Sequence, residues 1–176
     1  MDRAGLEIRE IAEVDTAAIA SLYPEAFPDE DLLPLVRDLL KDYQVALSLS
    51  AVIDHALVGH VILTKCSVAG SEVRAALIGP LAVNPRWQRQ GIGSALVRAG
   101  IQRLKAANLD LVCVLGDPAY YCRLGFAAET RVEPPYRLPA EWRDAWQSRY
   151  LDSSTLRSCG KLIVPRQWRQ DALWAP

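Results

Sequence analysis

The stretch Leu77–Ala107, LIGPLAVNPRWQRQGIGSALVRAGIQRLKAA, decides how this chain is read. It begins as an apolar strand, passes through a tight glycine-bearing turn and continues as a long helix. A helix leaves its first backbone N–H groups without internal partners, and its aligned peptide dipoles put partial positive charge at the same end, so a diphosphate can dock there. Gln88, Arg89, Gln90, Gly91, Ile92 and Gly93 form that end. Glycine at 91 and 93 removes the Cβ atoms that would hold an anion away from the amides, and Ser94 adds a hydroxyl donor.

Spacing excludes two nucleotide-binding motifs. A Walker loop needs Lys and Ser/Thr directly after its last Gly, and no Lys follows Gly93. The dinucleotide fingerprint needs a third Gly or Ala where Leu96 stands. What remains is Q-x-x-G-x-G over 88–93, preceded by Val83-Asn84-Pro85, and this resembles the acyl-CoA pyrophosphate loop of the GNAT N-acetyltransferase superfamily. Gly79-Pro80 in the preceding strand predicts a break in pairing, because Pro has no N–H for the ladder and Gly often marks a bulge. The resemblance implies that the strand splays there and that the main chain of Leu81, Ala82 and Val83 meets the pantetheine and thioester. An ordinary edge strand is the alternative.

At 176 residues the chain suits one domain, 1–176, with 131–176 supplying C-terminal strands and a Trp-rich tail. Hydrophobic residues make up 51% of it and no apolar run reaches the ~18 residues a membrane span needs. The start, from Met1 to Glu7, lacks the apolar core of a secretory signal, which sets a cytoplasmic expectation. Cys66, Cys113, Cys122 and Cys159 are widely spaced and accompanied by two His, so no metal is expected. A net charge of −1 argues against nucleic acid as partner.

Taken in order, Leu6–Ile11 alternates as a half-buried strand, and Asp15 offers an N-cap for a helix over 16–27. Leu32, Leu35, Val36, Leu39 and Leu40 recur at helical spacing. The acidic Glu25, Asp29, Glu30 and Asp31 either attract a cationic amine or complement a helix N-terminus. Strands follow over 45–53, 57–67 and 74–83. In the long helix Leu96, Val97, Gly100, Ile101 and Leu104 share one arc, opposite Arg98, Gln102 and Lys105. Asn108 ends it, and Leu109–Leu115 reads as a buried parallel strand, completing a βαβ unit.

Asp117-Pro118 caps a short helix that Gly125 ends. The segment GDPAYYCRLGF, 116–126, resembles the family's late motif, where a Tyr precedes L-G-F, so the resemblance covers about Leu6 to Phe126. Gly160–Pro165 resembles, more weakly, the closing strand of a subgroup of N-acetyltransferases with a GDPAYY-like segment. By that resemblance Tyr121 protonates the departing thiolate, with Tyr120 as fallback; adjacent helical residues point about 100° apart, so one of them faces the sulfur. The family often has Asn where this chain has Gly116-Asp117. Glu72, His60, Glu25 and Asp54 are candidate bases, none preferred, and a lone strand His such as His60 is more often structural. Arg86, Arg89 and Arg123 could pair with phosphates. Trp142, Trp146 and Tyr150 form a helical stripe or, in part, a strand face, and with Trp168 and Trp174 either wall the acceptor site or pack as core.

These features imply an α/β (α+β) fold with a mixed, mostly antiparallel, splayed sheet flanked by helices. The resemblance implies an acetyl-CoA-dependent N-acetyltransferase, whose amine acceptor is undefined and whose assembly into a homodimer is left open. The alternative is a CoA-binding sensing or interaction module without turnover.

Overall fold

The computed structural model describes residues 5–151 and 159–174. The fold is α/β, with a mixed and mostly antiparallel sheet. Its contacts divide it into two compact units, one made of residues up to Leu63 with Gly79–Gly100, the other of Thr64–Ile78 with the chain from Ile101 onward.

In the first unit, β1 (Leu6–Glu10) lies antiparallel to β2 (Ala46–Ile53), in register from Leu6 opposite Ile53 to Glu10 opposite Leu49. Asp54 and His55, with φ of 48° and 65°, form the two-residue turn into β3 (Ala56–Val68). Positive φ at both positions matches the twist of the flanking strands and closes a hairpin. Helices α1 (Thr16–Ala26) and α2 (Leu33–Leu40) bury Ile19, Leu22, Tyr23, Leu35, Val36 and Leu39. Asp15 takes the expected N-cap position of α1, but its side chain makes no capping bond. It ends a 3-10 turn, Glu13–Asp15; its carboxylate accepts the Ala12 N–H at 2.7 Å and pairs with both terminal nitrogens of Arg9, at 2.7 and 2.9 Å. A guanidinium within reach outcompeted the helix amides for this carboxylate.

The strand β4 (Arg74–Val83) leads through the glycine turn to α3 (Ile92–Ala106), which buries the arc named from the sequence and exposes Arg98, Gln102 and Lys105. Gly100 is needed in that arc: a Cβ there would lie 2.7 Å from Leu63 Cδ2.

In the second unit, Ala75–Ile78 of β4 pairs in parallel with β5 (Leu111–Leu115), and the pairing stops at Ile78, just before the cis Gly79–Pro80 bond. Asn108 (φ 58°) stops α3 as expected. After α4 (Pro118–Tyr121) come the two-residue strands β6 (Ala127–Ala128) and β7 (Val132–Glu133), then β8 (Trp146–Tyr150) and β9 (Gly160–Ile163). β8 lies antiparallel between β5 and β6, while β9 joins β3 and runs parallel to β7. The tail is therefore a strand face rather than a helical stripe: Trp146 and Tyr150 sit in β8, and Trp142 lies in the preceding 3-10 turn, Ala140–Ala145. Trp146, Trp168 and Trp174 are buried together, with ring centroids 6.0 and 6.1 Å apart about Trp174. Trp168 also donates to Thr64 Oγ1 at 3.0 Å. For Trp168 and Trp174, core packing is the account the contacts support.

Candidate active site

The first unit holds the glycine-bearing loop from Gln88 to Ser94. Asn84 follows β4 and organises it: its Oδ1 accepts the Arg86 N–H at 3.0 Å, capping the 3-10 turn Pro85–Trp87, and its Nδ2 donates to Glu25 Oε2 at 2.7 Å. An Asn-Pro pair is a capping signal, because the Asn side chain accepts a turn amide while Pro supplies a fitting φ. Gln88 Nε2 donates to Val83 O at 3.1 Å and Gln90 Nε2 to Arg86 O at 2.9 Å, so both Gln side chains brace the loop. The Val83 carbonyl thus has one donor within the loop.

Arg89 (φ 55°) and Gly91 (φ 86°) turn the chain into α3, whose first bond runs from Ala95 N to Gly91 O at 2.9 Å. The amides of Ile92 and Gly93 lie ahead of that bond, at the positive end of the helix dipole. A Cβ built on Gly91 meets no atom within 4 Å, so the space in front of the turn is open. Gln88, Arg89, Gln90 and Gly91 are exposed, whereas Ile92 anchors the helix start in the core. Gly93 and Ser94 are half-buried in its first turn, and Arg86 is exposed on the 3-10 turn. In β4, Ala82 is buried while Leu81 and Val83 remain half-buried, the alternation of a strand with one accessible face.

The same unit contains a buried polar group that the sequence did not assemble. His60 on β3 lies between Tyr23 of α1, whose hydroxyl is 2.9 Å from Nδ1, and Ser48 of β2, whose hydroxyl is 2.6 Å from Nε2. A neutral imidazole donates through one nitrogen and accepts through the other, so the two hydroxyls take opposite roles. Burial pushes the imidazole down to about 4, against a weaker upward pull from Asp15. His60 is thus a satisfied core group with no exposure to solvent. Glu25 is tied to Asn84, Asp54 sits in the hairpin turn, and Glu72 is exposed between β3 and β4.

In the second unit, Asp117 caps α4 by accepting the Ala119 N–H at 2.9 Å, and Gly125 (φ 82°) ends the following 3-10 turn. The two tyrosines diverge as helical geometry requires. Tyr121 is buried, its ring 5.5 Å from that of Phe126; Tyr120 is half-buried, edge-on to Tyr121 at 4.9 Å, with the Arg123 guanidinium 5.6 Å from its centroid. Arg123, in the 3-10 turn that follows α4, also donates to Ala119 O. Burial, with a smaller contribution from Tyr120, raises the Tyr121 phenol above its ordinary value, which keeps it protonated at neutral pH while making it a weaker acid. Gly116, at the exit of β5, supplies the slot for this ring: a Cβ there would overlap Tyr121 Cε2 and stand 3.0 Å from Cδ2. Its spacing five residues before Tyr121 was visible in the sequence, but the ring's direction was not.

With loop and late motif in place, the comparisons agree on the class. The chain belongs to the acetyltransferase (GNAT) family, whose model matches residues 16–126. It is 33% identical over 156 residues to the uncharacterized N-acetyltransferase YjhQ of Escherichia coli K12, covering 84% of this chain and 86% of YjhQ. It is 32% identical over 157 residues to the uncharacterized N-acetyltransferase YhbS of the same strain, covering 89% and 93%. The crystal structure of Escherichia coli YhbS in complex with CoA matches with a TM-score of 0.86 at 27% identity over 97% of this chain and 96% of that one. A GNAT family acetyltransferase from Brucella melitensis, in complex with acetyl-CoA, matches with a TM-score of 0.74 at 25% identity over 94% and 99%. Among the described residues no group of His, Cys, Asp and Glu could hold a metal ion, and no helix is long and apolar enough to cross a membrane.

Proposed function

We propose that this chain is a single-domain, cytoplasmic, acetyl-CoA-dependent N-acetyltransferase. The diphosphate docks on the loop from Gln88 to Ser94, and the pantetheine arm runs along Leu81, Ala82 and Val83. Tyr121 gives its proton to the CoA thiolate as an amine takes the acetyl group. The observation that carries the reading is the turn at Gly91, where a left-handed glycine opens the start of α3 to solvent. CoA and acetyl-CoA in the two similar structures support it. A binding module without turnover is the second reading, favoured by one observation: His60 is sealed in the core, away from solvent.

Calorimetry with acetyl-CoA and with CoA tests the site. Wild-type protein binds both, whereas Gly91→Asp loses at least tenfold in affinity, since a carboxylate then faces the diphosphate and φ is strained. No binding at millimolar acetyl-CoA removes the reading. CoA release with a panel of amines then separates enzyme from binding module, because sustained turnover on any acceptor excludes the second.

A further inference from the structure

The chain beyond β6 builds a cavity of about 520 Å³ within the second unit. That volume suits a small organic ligand. Trp146 forms one wall, its indole held by donation to Val132 O at 2.7 Å, and Tyr136 forms another, its ring 6.3 Å from Trp174. Arg137, Arg143 and Lys161 border the same space from a loop, a 3-10 turn and β9. None of these three side chains forms an ion pair or hydrogen bond with another described residue. Glu129 also faces the cavity and is anchored: one carboxylate oxygen accepts the N–H groups of Arg131 at 2.6 Å and Val132 at 3.0 Å, the other accepts the Ser148 hydroxyl.

Exposed Arg and Lys are ordinary one at a time. Here Arg137, Arg143 and Lys161 line one aromatic-walled cavity from three elements; Glu133, the register partner of Lys161, lines it as well, which leaves Arg137 and Arg143 as the cations opposite the fixed carboxylate of Glu129. The geometry points to a binding site for a small amino-carboxylate, an α-amino acid or a compound bearing the same pair of charges. Its carboxylate meets Arg137 and Arg143, its ammonium meets Glu129, and its side chain lies against Trp146 and Tyr136.

Resting on the acetyl transfer proposed above, this ligand is the acceptor. Trp146 is the register partner of Leu115, and the next residue, Gly116, packs on Tyr121, so cavity and proposed proton donor share neighbours. In the reaction the ammonium gives one proton to water, its nitrogen bonds to the acetyl carbonyl carbon, the C–S bond breaks, the thiolate takes a proton from Tyr121, and the second proton leaving the nitrogen restores that phenol through solvent. The products are an N-acetyl amino-carboxylate and CoA.

Three probes test the site by calorimetry: L-phenylalanine, phenethylamine, which lacks the carboxylate, and 3-phenylpropanoate, which lacks the amine. L-Phenylalanine binds at least tenfold tighter than either, and an Arg137→Gln/Arg143→Gln double variant loses that advantage while still binding CoA. In a CoA-release assay the variant raises the KM for L-phenylalanine about tenfold with little change in kcat. The calorimetric preference without any CoA release leaves the site standing and removes the acetyl-transfer reading. Equal binding of the three probes, or an unaltered double variant, overturns the site. So does acetylation of phenethylamine as efficient as that of L-phenylalanine, which would move the acceptor to the cavity of about 370 Å³ that Tyr23 and Phe27 share with Asp29, Glu30 and Asp31.

Discussion

Acidification should unfold this protein partly through His60. The imidazole is sealed between Tyr23 and Ser48 and titrates near 4, against 6.5 when unburied. Above pH 6.5 neither folded nor unfolded chain carries a proton on this ring. Between 6.5 and 4 the unfolded chain takes one up and the folded chain does not, so stability falls with falling pH and levels off below about 4. The gap between the two values corresponds to about 3 kcal/mol, a large part of the 5–15 kcal/mol typical of a domain. Asp15 does not compensate across this window, because the Arg9 hydrogen bond holds its carboxyl below its ordinary value and it stays charged. The assay is urea denaturation at a series of pH values, comparing wild type with His60→Gln, which keeps a donor and an acceptor but cannot titrate there. At pH 7.5 the variant is less stable by about 1–2 kcal/mol through imperfect hydrogen bonds. Toward pH 4 the difference shrinks and reverses as the wild type alone loses about 3 kcal/mol. A difference that stays constant from pH 7.5 to 4 refutes the reasoning.

Two further outcomes are expected. In single-turnover kinetics Tyr121→Phe lowers the acetyl-transfer rate by about 10²-fold or more with acetyl-CoA affinity nearly unchanged, whereas Tyr120→Phe has a much smaller effect; equal small effects return both rings to packing roles. Gly100→Val forces methyl groups into Leu63 and destabilises by about 2 kcal/mol despite better helix propensity, and a midpoint equal to wild type in urea would mean the helix and β3 can separate at little cost.

The elements legible in the sequence were those that local chemistry specifies. Asn108, Asp117-Pro118 and Gly125 each act on their own few residues, and the α3 arc needs no knowledge of what it packs against. The loop from Gln88 to Ser94 was legible for the same reason. What escaped depends on partners distant in sequence. Asp15 looked like a cap because Arg9 was not known to be within reach. His60 meets Tyr23 and Ser48, 37 and 12 residues away, and only the packing of α1 against β2 and β3 joins them. The tail Trp residues carried two periodicities at once, and the choice between them was made by the pairing of β8 with β5, which no residue between 142 and 150 announces by itself.

The slot at Gly116 also bears on how this chain can drift. A glycine is usually free to become alanine by a single small step, but here the added methyl and the Tyr121 ring claim the same volume. The two positions are coupled: a side chain at 116 requires the ring at 121 to shift or to shrink, which moves the phenol or removes it. With the tyrosine ring held where it is, position 116 has room only for the smallest residue.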